Sequence, residues 1–333
     1  IIIFDFEANV FDDALTTASI LLFANDNEKS EVEFIQIKTP DELEKLGARL
    51  SNYPRTKPKN AISFSALNPD IKWRAYYQKQ NAAKYKNLVP FATFGKVVRG
   101  IATGANQYFA FNLSKAKQHG IAETYLLPCI NKAIDVRGCF FTQNDFEELK
   151  QQDKNIYILN ITDPAQPHLK KYLEMGMAQG IHKKFLTASR SPWFALENRP
   201  PAPIWVSVFN RTGLRFVRNE AGISNLTTFH CVYPAQAGFF NLVNTDLLFA
   251  YLMTSMAKEI FEDNRREYGN GLQKFEPNDI NKALMPDLSL LEKDIEYQIL
   301  DLYEKYKKSV LEGLPDETLT ELINGIFLDQ YSR

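Results

Sequence analysis

The sequence predicts a mixed α+β fold, and three features of its pattern support this. Residues 1–23 contain two almost continuously apolar runs, IIIFDF and ASILLF. Short β-like runs dominate residues 90–245, whereas three- and four-residue apolar spacing dominates residues 246–333. The 333 residues are 45% hydrophobic and 13% aromatic, which is ample for a packed core.

Residues 1–40 are expected to form strands of an α/β sheet. The runs at Ile1–Phe6 and Ala18–Phe23 are apolar at nearly every position, a pattern typical of strands covered on both faces. Glu31–Lys38 alternates between polar and apolar residues and predicts a more exposed strand. Because the chain opens on an apolar run with no initiator methionine, we interpret it as a fragment of a longer protein.

Residues 41–89 are predicted to link this sheet to a second domain. A helix is expected over Pro40–Leu50, where a proline followed by an aspartate favours a helix start. Asn52–Pro58 has the composition of a linker. Asn68–Asn87 is rich in tyrosine and basic residues and predicts partly helical surface structure.

Residues 90–245 are predicted to form an irregular β-rich domain with one helix, at Pro164–Gln179. The predicted strands are Lys96–Ile101, Gln107–Phe111, Tyr125–Cys129, Ile156–Asn160, Pro203–Phe209, Leu214–Val217 and Thr227–Val232. Within this domain, Phe94–Phe111 joins a cationic strand edge, a glycine-rich polar loop and an aromatic strand. Two interpretations are open: a plain β-hairpin whose glycines serve the turn, or a loop that lies against a polyanion.

Residues 246–333 are predicted to be helical. The expected helices run from Thr245 or Asp246 to about Arg265, over Pro277–Leu284, and over Ser289–Val310. Acidic residues outnumber basic ones toward the end of the chain, so this end should face away from a polyanion.

The composition limits the partners, the metal sites and the cell compartment that are expected for this protein. The net charge is −1, so a polyanion would have to be met by a local patch. The three cysteines have no C-x-x-C spacing and the four histidines are scattered, so no metal is expected. We expect a reduced, cytoplasmic protein, since the sequence has neither a signal peptide nor a run of apolar residues that would cross a membrane.

A second basic stretch lies between Ile181 and Arg218. It carries seven bases against one acid, Glu197, and aromatic residues that include Trp193, Phe194, Trp205 and Phe209 are interleaved with them. Lysine and arginine neutralise phosphates, and arginine also forms bidentate pairs with guanine edges. By itself such a stretch is more often ordinary solvated charge, but together with the basic loop at Phe94–Phe111 it favours a surface for double-stranded DNA.

Motifs for catalysis are missing from the sequence. We find no glycine-rich phosphate loop, no H-E-x-x-H and no G-x-S-x-G. The strand with Glu31 and Glu33 resembles a metal-dependent nuclease strand, but Gln36 stands where the carboxylate ligand should be. No catalytic residue is therefore predicted in this chain, and a nuclease stays only as a weak alternative.

Taken in order, six blocks resemble the C-terminal part of a bacterial adenine-specific (N6) DNA methyltransferase of a restriction-modification system. The blocks are NVFDDALTTASILLF (9–23), FGKVVRGIATGAN (94–106), YLLPCI (125–130), SRSPWFALENRPPAPIWV (189–206), TTFHCVYP (227–234) and KFEPNDINKALMPDL (274–288). Each block is weak alone, but their succession over nearly the whole chain is specific.

The resemblance implies a division of labour. Residues 1–40 would be the last strands of the catalytic domain, and residues 90–245 the target-recognition domain. The S-adenosylmethionine motif and the (N/D)-P-P-(Y/F) tetrapeptide of the family do not occur here. The chain alone should therefore bind no cofactor and be inactive, with S-adenosylmethionine held by a missing N-terminal catalytic half.

The resemblance also implies residue roles. Phe11 would stack on the extruded adenine, although it could equally be a core residue. Residues expected to contact DNA are Lys96, Arg99, Thr103, Asn106, Lys183, Lys184, Arg190, Trp193, Asn210, Arg211, Arg215 and Arg218. Trp193 has a scaffold role as its alternative, and His230 is expected to be a core histidine. A specificity subunit with a separate catalytic chain, or a fused restriction endonuclease-methyltransferase, is the alternative arrangement, and a restriction endonuclease is an expected partner or fusion.

Overall fold

The computed structural model describes most of the chain. The described residues are 2–6, 18–23, 30–51, 60–69, 71–161, 164, 166–211, 213–238, 240–268 and 272–333. Helices and several small sheets are interleaved along these ranges, so the predicted α+β class is confirmed. Phe11 and the predicted linker at Asn52–Pro58 lie outside the described residues.

The strands in chain order are β1 (Ile2–Phe6), β2 (Ser19–Leu22), β3 (Glu31–Ile37), β4 (Ala61–Ser63), β5 (Leu88–Pro90), β6 (Gly95–Arg99), β7 (Ala110–Phe111), β8 (Leu126–Ile130), β9 (Phe140–Phe141), β10 (Tyr157–Leu159), β11 (Ile204–Ser207), β12 (Phe209–Asn210), β13 (Phe216–Asn219), β14 (Ser224–Asn225), β15 (Phe229–Pro234), β16 (Gln236–Ala237), β17 (Phe240–Asn241), β18 (Arg266–Tyr268), β19 (Leu272–Lys274) and β20 (Leu284–Pro286).

The α-helices are α1 (Pro40–Ser51), α2 (Asn106–Phe109), α3 (Leu113–His119), α4 (Gln143–Gln151), α5 (Pro167–Ala178), α6 (Phe185–Ala188), α7 (Thr245–Met253), α8 (Ser255–Glu262), α9 (Pro277–Asn281), α10 (Lys293–Leu311) and α11 (Glu317–Tyr331). Short 3-10 turns at Trp73–Tyr76 and Asn81–Lys84 supply the partial helicity expected before residue 88. Within the described ranges, no helix combines the length and the apolar character needed to cross a bilayer.

The N-terminal sheet has the strand order β2-β1-β3-β4, with β1 and β3 parallel. Our expectation of burial is wrong for two of its strands. At the sheet edge, β2 is exposed at every position, and Leu21 is 51% exposed. The alternating strand β3 is instead largely buried, because it lies between two strands and its Phe34 stacks on the rings of Tyr76 and Tyr77.

A five-stranded sheet, in the order β6-β15-β11-β13-β9, forms the centre of the molecule. Along β11, Ile204 and Val206 join the core shared with the C-terminal helices, whereas Trp205 points into a second core. This alternation arises because successive side chains of a strand point to opposite faces. Both faces of the sheet are therefore covered, and residues from the predicted segments 90–245 and 246–333 share one core.

The second core lies between this sheet and a smaller one, ordered β14-β8-β10-β7. The segment Phe94–Phe111 passes from one sheet to the other, because β6 pairs with β15 and β7 pairs with β10. The hairpin interpretation of this segment is therefore wrong. The predicted strand at Gln107–Phe111 is mostly the helical turn α2, whose Tyr108 and Phe109 are buried.

Two glycines allow this crossing. A Cβ atom on Gly100 would lie 2.3 Å from the carbonyl oxygen of Leu226, so only glycine fits against that backbone. Gly104 has φ +77°, a left-handed conformation that other residues adopt at a cost. On its free edge, β6 is closed by Asn281, whose side-chain amide bonds both the N–H and the C=O of Val97, at 2.8 and 3.0 Å.

Helices account for several differences from the prediction. The helix expected to begin at Thr245 is broken at Thr254, whose hydroxyl donates to the carbonyl of Tyr251 and accepts from the N–H of Ala257. The helices α3, α4 and α11 were not predicted. A Thr142 capping box starts α4, a signal present in the sequence as T-x-x-D.

Candidate nucleic-acid interface

The two basic regions of the sequence lie side by side in the fold. We call residues 99–106 and 183–199 the paired loops. The guanidinium of Arg190 donates to the carbonyl oxygens of both Ala102 and Thr103, the latter at 3.0 Å. A planar guanidinium presents several N–H groups in a fixed fork and can hold two carbonyls at once. Arg190 therefore fastens one loop to the other.

Two further contacts join the paired loops. Arg199 donates to the carbonyl of Arg99 and forms an ion pair with Glu197. A Cβ atom on Gly104 would lie 2.8 Å from the Cβ of Leu186, so the glycine lets the two segments approach closely. The two basic regions are thus neighbours in the fold, and their backbones are bound together by arginine side chains.

The turn at the end of the first loop is held by Thr103. Its side chain is 1% exposed, accepts a hydrogen bond from the N–H of Ala105 at 3.1 Å and donates to the side-chain oxygen of Asn106. Thr103 was expected to contact DNA, but its hydroxyl faces inward and fixes the turn. Asn106 is exposed, so the turn presents an amide to solvent.

An open cavity of about 750 Å³ lies beside the paired loops. Its lining combines amide, imidazole and ammonium groups with two tyrosine rings, and its members include Asn106, Gln107, Tyr108, Lys115, His119, Tyr172, Gln179 and Lys184. The rings of Tyr108 and Tyr172 stack with centroids 4.7 Å apart, and each hydroxyl donates to the other residue's carbonyl. This paired contact makes one wall of the cavity rigid.

Lys115 supports the loop from inside the cavity. Its ammonium donates to the carbonyls of Gln107, Tyr108 and Ala110 at 2.8, 3.0 and 2.7 Å, and lies 4.1 Å from the centroid of Phe111. Burial lowers the pKa of Lys115 to about 8. Carbonyls at a helix C-terminus attract a cation, so Lys115 stabilises the end of α2. A single lysine carries no sequence signal for this role, and it was not predicted.

Two predicted DNA contacts, Arg215 and Asn210, are engaged within the protein. Arg215 donates to the carbonyls of Val136 at 3.0 Å and Ala133 at 3.4 Å, and burial lowers its pKa. Asn210 is 8% exposed and bonds the backbone and hydroxyl of Ser207. Both side chains bond other parts of the protein: Arg215 holds the turn at Ala133–Val136, and Asn210 holds the end of β11.

Arg218 and Trp193 also have internal partners. Arg218 is 16% exposed, forms an ion pair with Asp246 at 3.0 Å and donates to the carbonyl of Pro203 at 3.0 Å. Trp193 is half-buried, with its ring 5.8 Å from that of Tyr108 between centroids. The scaffold alternative therefore describes Trp193, and Arg218 joins the sheet to α7.

The remaining predicted cations are exposed. They are Lys96, Arg99, Lys183, Lys184 and Arg211. On the strand next to β6, His230 is 2% exposed and its Nε2 lies 2.8 Å from the carbonyl of Phe275, which confirms the expected core histidine. Burial lowers the pKa of His230, so the ring is neutral near pH 7. In the described part of the chain, no group of three His, Cys, Asp or Glu residues could hold a metal ion.

Comparison with known proteins defines the class. Residues 72–320 match the family described as the C-terminal domain of the Type II methyltransferase M.Eco57I. The chain therefore belongs to this family of C-terminal domains of restriction-modification methyltransferases.

Two curated relatives are Type II methyltransferases. The chain is 55% identical over its whole length to M.AccI of Acinetobacter calcoaceticus, of which it covers 62%. It is 25% identical over 197 residues to M.XamI of Xanthomonas campestris pv. amaranthicola, covering 59% of this chain and 36% of that protein. The chain thus spans less than two thirds of the length of these relatives. A solved structure of the type IIG restriction endonuclease BpuSI aligns over 99% of this chain and 44% of its own, with 12% identity and a TM-score of 0.45.

Proposed function

We propose that this chain recognises DNA for a site-specific N6-adenine methyltransferase of a restriction-modification system. The catalytic half, which would bind S-adenosylmethionine and transfer the methyl group, would be the part of the protein that this chain lacks. Membership of the family supports the methyltransferase, and the block resemblance supports adenine as the target. The proposal further includes base flipping, with Phe11 stacking on the extruded adenine.

The observation that carries the DNA-binding proposal is the surface of the paired loops. Their backbones are bound together by Arg190 and Arg199, so that the exposed groups stand on a fixed frame. Lys183, Lys184 and Asn106 present two ammonium groups and an amide to solvent from this frame. Ammonium groups bind phosphates, and amides can read base edges.

The proposal is tested by the salt dependence of DNA binding. Full-length protein carrying Lys183→Ala and Lys184→Ala is compared with the parent by gel shift on the cognate duplex, over a range of salt concentrations. Each lost phosphate contact lowers the slope of log K against log salt by about 0.9, so a reduction of about 1.8 is expected. The matched control is Lys305→Ala with Lys308→Ala, which removes the same charge from α10 and should leave the slope unchanged.

Two results would contradict the proposal. The first is a parent protein that binds no duplex. The second is a control pair that lowers the slope as much as the Lys183 and Lys184 pair does. Either result would show that the paired loops are not the DNA-binding surface. The chemistry is checked separately, by mass spectrometry of DNA modified in the presence of S-adenosylmethionine. N6-methyladenine is the expected product, and a methylated cytosine would overturn the adenine assignment.

A further inference from the structure

Phe185 is an aromatic residue whose side chain lies at the surface of the protein. It begins α6, between two exposed lysines and Leu186, and its side chain is 90% exposed. Exposed single apolar residues are common, but a phenylalanine left almost wholly in water forgoes a large favourable burial. A partner that covers the ring would recover this contribution.

The backbone beneath Phe185 is fixed. Thr187 is fully buried, and its hydroxyl donates to the carbonyl of Ile181 while lying 3.1 Å from that of Lys184. On the next residue, Leu186 packs against Gly104 of the other loop. Because the turn is held on both sides, the ring is presented on a rigid support, which lowers the entropic cost of binding.

The surroundings of the ring are cationic. Lys183 and Lys184 precede it and are exposed, and residues 181–196 contain no aspartate or glutamate. Lys184 and Asn106 line the same cavity. Ile134, another apolar side chain with 81% exposure, is followed directly by Asp135, and only one of the two residues before it, Lys132, is a cation. An aromatic ring preceded by two exposed lysines complements a nucleobase and its neighbouring phosphates.

We propose that Phe185 stacks on a base of the bound DNA, entering at a base step while Lys183 and Lys184 hold the neighbouring phosphates. Apolar side chains inserted between base steps partly unstack the duplex and bend it, and aromatic rings stack on any base. This inference rests on the proposed DNA recognition, and it adds a stacking contact between the Phe185 ring and the face of a base. Phe185 contributes affinity at a position where no hydrogen bond to a base edge is made.

The test uses full-length protein with Phe185→Ala, Phe185→Tyr and, as the matched control, Ile134→Ala. Affinity is measured by gel shift at several salt concentrations. Phe185→Ala should lower affinity by at least about fivefold with an unchanged salt slope, because a stacking contact is lost and no phosphate contact is. Phe185→Tyr should restore the affinity, and Ile134→Ala should bind like the parent.

A second measurement reports on the base itself. Duplexes with 2-aminopurine at successive positions should show one position whose fluorescence changes on binding the parent and not on binding Phe185→Ala. If Phe185→Ala binds like the parent while the Lys183 and Lys184 pair lowers the salt slope, stacking fails and DNA recognition stands. If the parent binds no duplex, both proposals fail. If Phe185→Ala melts at a clearly lower temperature without DNA, another part of the protein covers the ring and stacking is overturned.

Discussion

Replacing Arg190 by alanine separates a structural arginine from a DNA-binding one. The sequence alone predicts a DNA contact, whereas the structure shows its guanidinium bonded to the carbonyls of Ala102 and Thr103. A hydrogen bond from a charged donor contributes roughly 1.5–3 kcal/mol when buried. Arg190 is half-buried, so the two bonds together should be worth about 2–3 kcal/mol of unfolding free energy.

Urea denaturation of the full-length protein measures this loss, with Lys183→Ala as the control of equal charge change. Arg190→Lys should recover less than half of it, because one ammonium does not reproduce the guanidinium fork. DNA affinity should fall because the loop is released, yet the salt slope should not change. Unaltered stability together with a slope lowered by about 0.9 would refute this reasoning, since Arg190 would then be a phosphate contact.

Three further predictions follow from single side chains. Arg218→Met should lower the unfolding free energy by about 2 kcal/mol, since the partner carboxylate of Asp246 loses its cation, and should leave the DNA salt slope unchanged. Burial lowers the pKa of His230, so between that pKa and about 6.5 the unfolded chain binds more protons than the folded one. The free energy of unfolding should therefore fall as the pH drops below about 6.5, and it should fall less steeply in His230→Gln. Thermal melting at several pH values measures this difference. Gly100→Ala should destabilise strongly because its Cβ meets backbone, whereas Gly325→Ala, in open space on α11, should stabilise by up to about 1 kcal/mol in the same denaturation assay.

Local pattern was enough to predict most of the longer strands within residues 90–245. The predicted strands around Ile204–Ser207, Leu126 and Phe229 lie within one or two residues of the observed strands. Pairing was harder, because it depends on contacts between distant residues. The Phe94–Phe111 segment has the composition of a hairpin, but its two ends pair with strands of different sheets, β15 and β10.

Burial could not be predicted for strands at the edge of the described sheet. The apolar sequence of β2 is typical of a strand that is buried on both faces. Burial also depends on what packs against the strand, however, and Ile20 is 48% exposed. The reverse holds for β3, whose alternating letters suggest exposure although aromatic residues from Trp73 onward cover Phe34. The spacing of apolar residues in the sequence indicates which residues share a face of the strand. It does not indicate whether another element packs on that face.

The roles of the arginines could not be separated by sequence either. Arg190, Arg215 and Arg218 stand in the same basic stretch as Lys183 and Lys184, and their local composition is alike. The difference lies in the geometry of the side chain. A planar guanidinium can bond two acceptors at once and so hold the backbone in place, whereas Lys183 and Lys184 are exposed to solvent.

Under the proposed function, residues that hold the paired loops together differ from residues that would contact DNA. Residues that bond the backbone, such as Arg190 and Thr103, fix where the loops stand, and their loss should lower stability and binding to every sequence alike. Exposed groups, such as Lys184 and Phe185, would contact the DNA under the proposed function. Substitution at these exposed positions should therefore alter affinity or sequence preference at little cost in stability, which is the route by which a recognition surface can diverge on a constant frame.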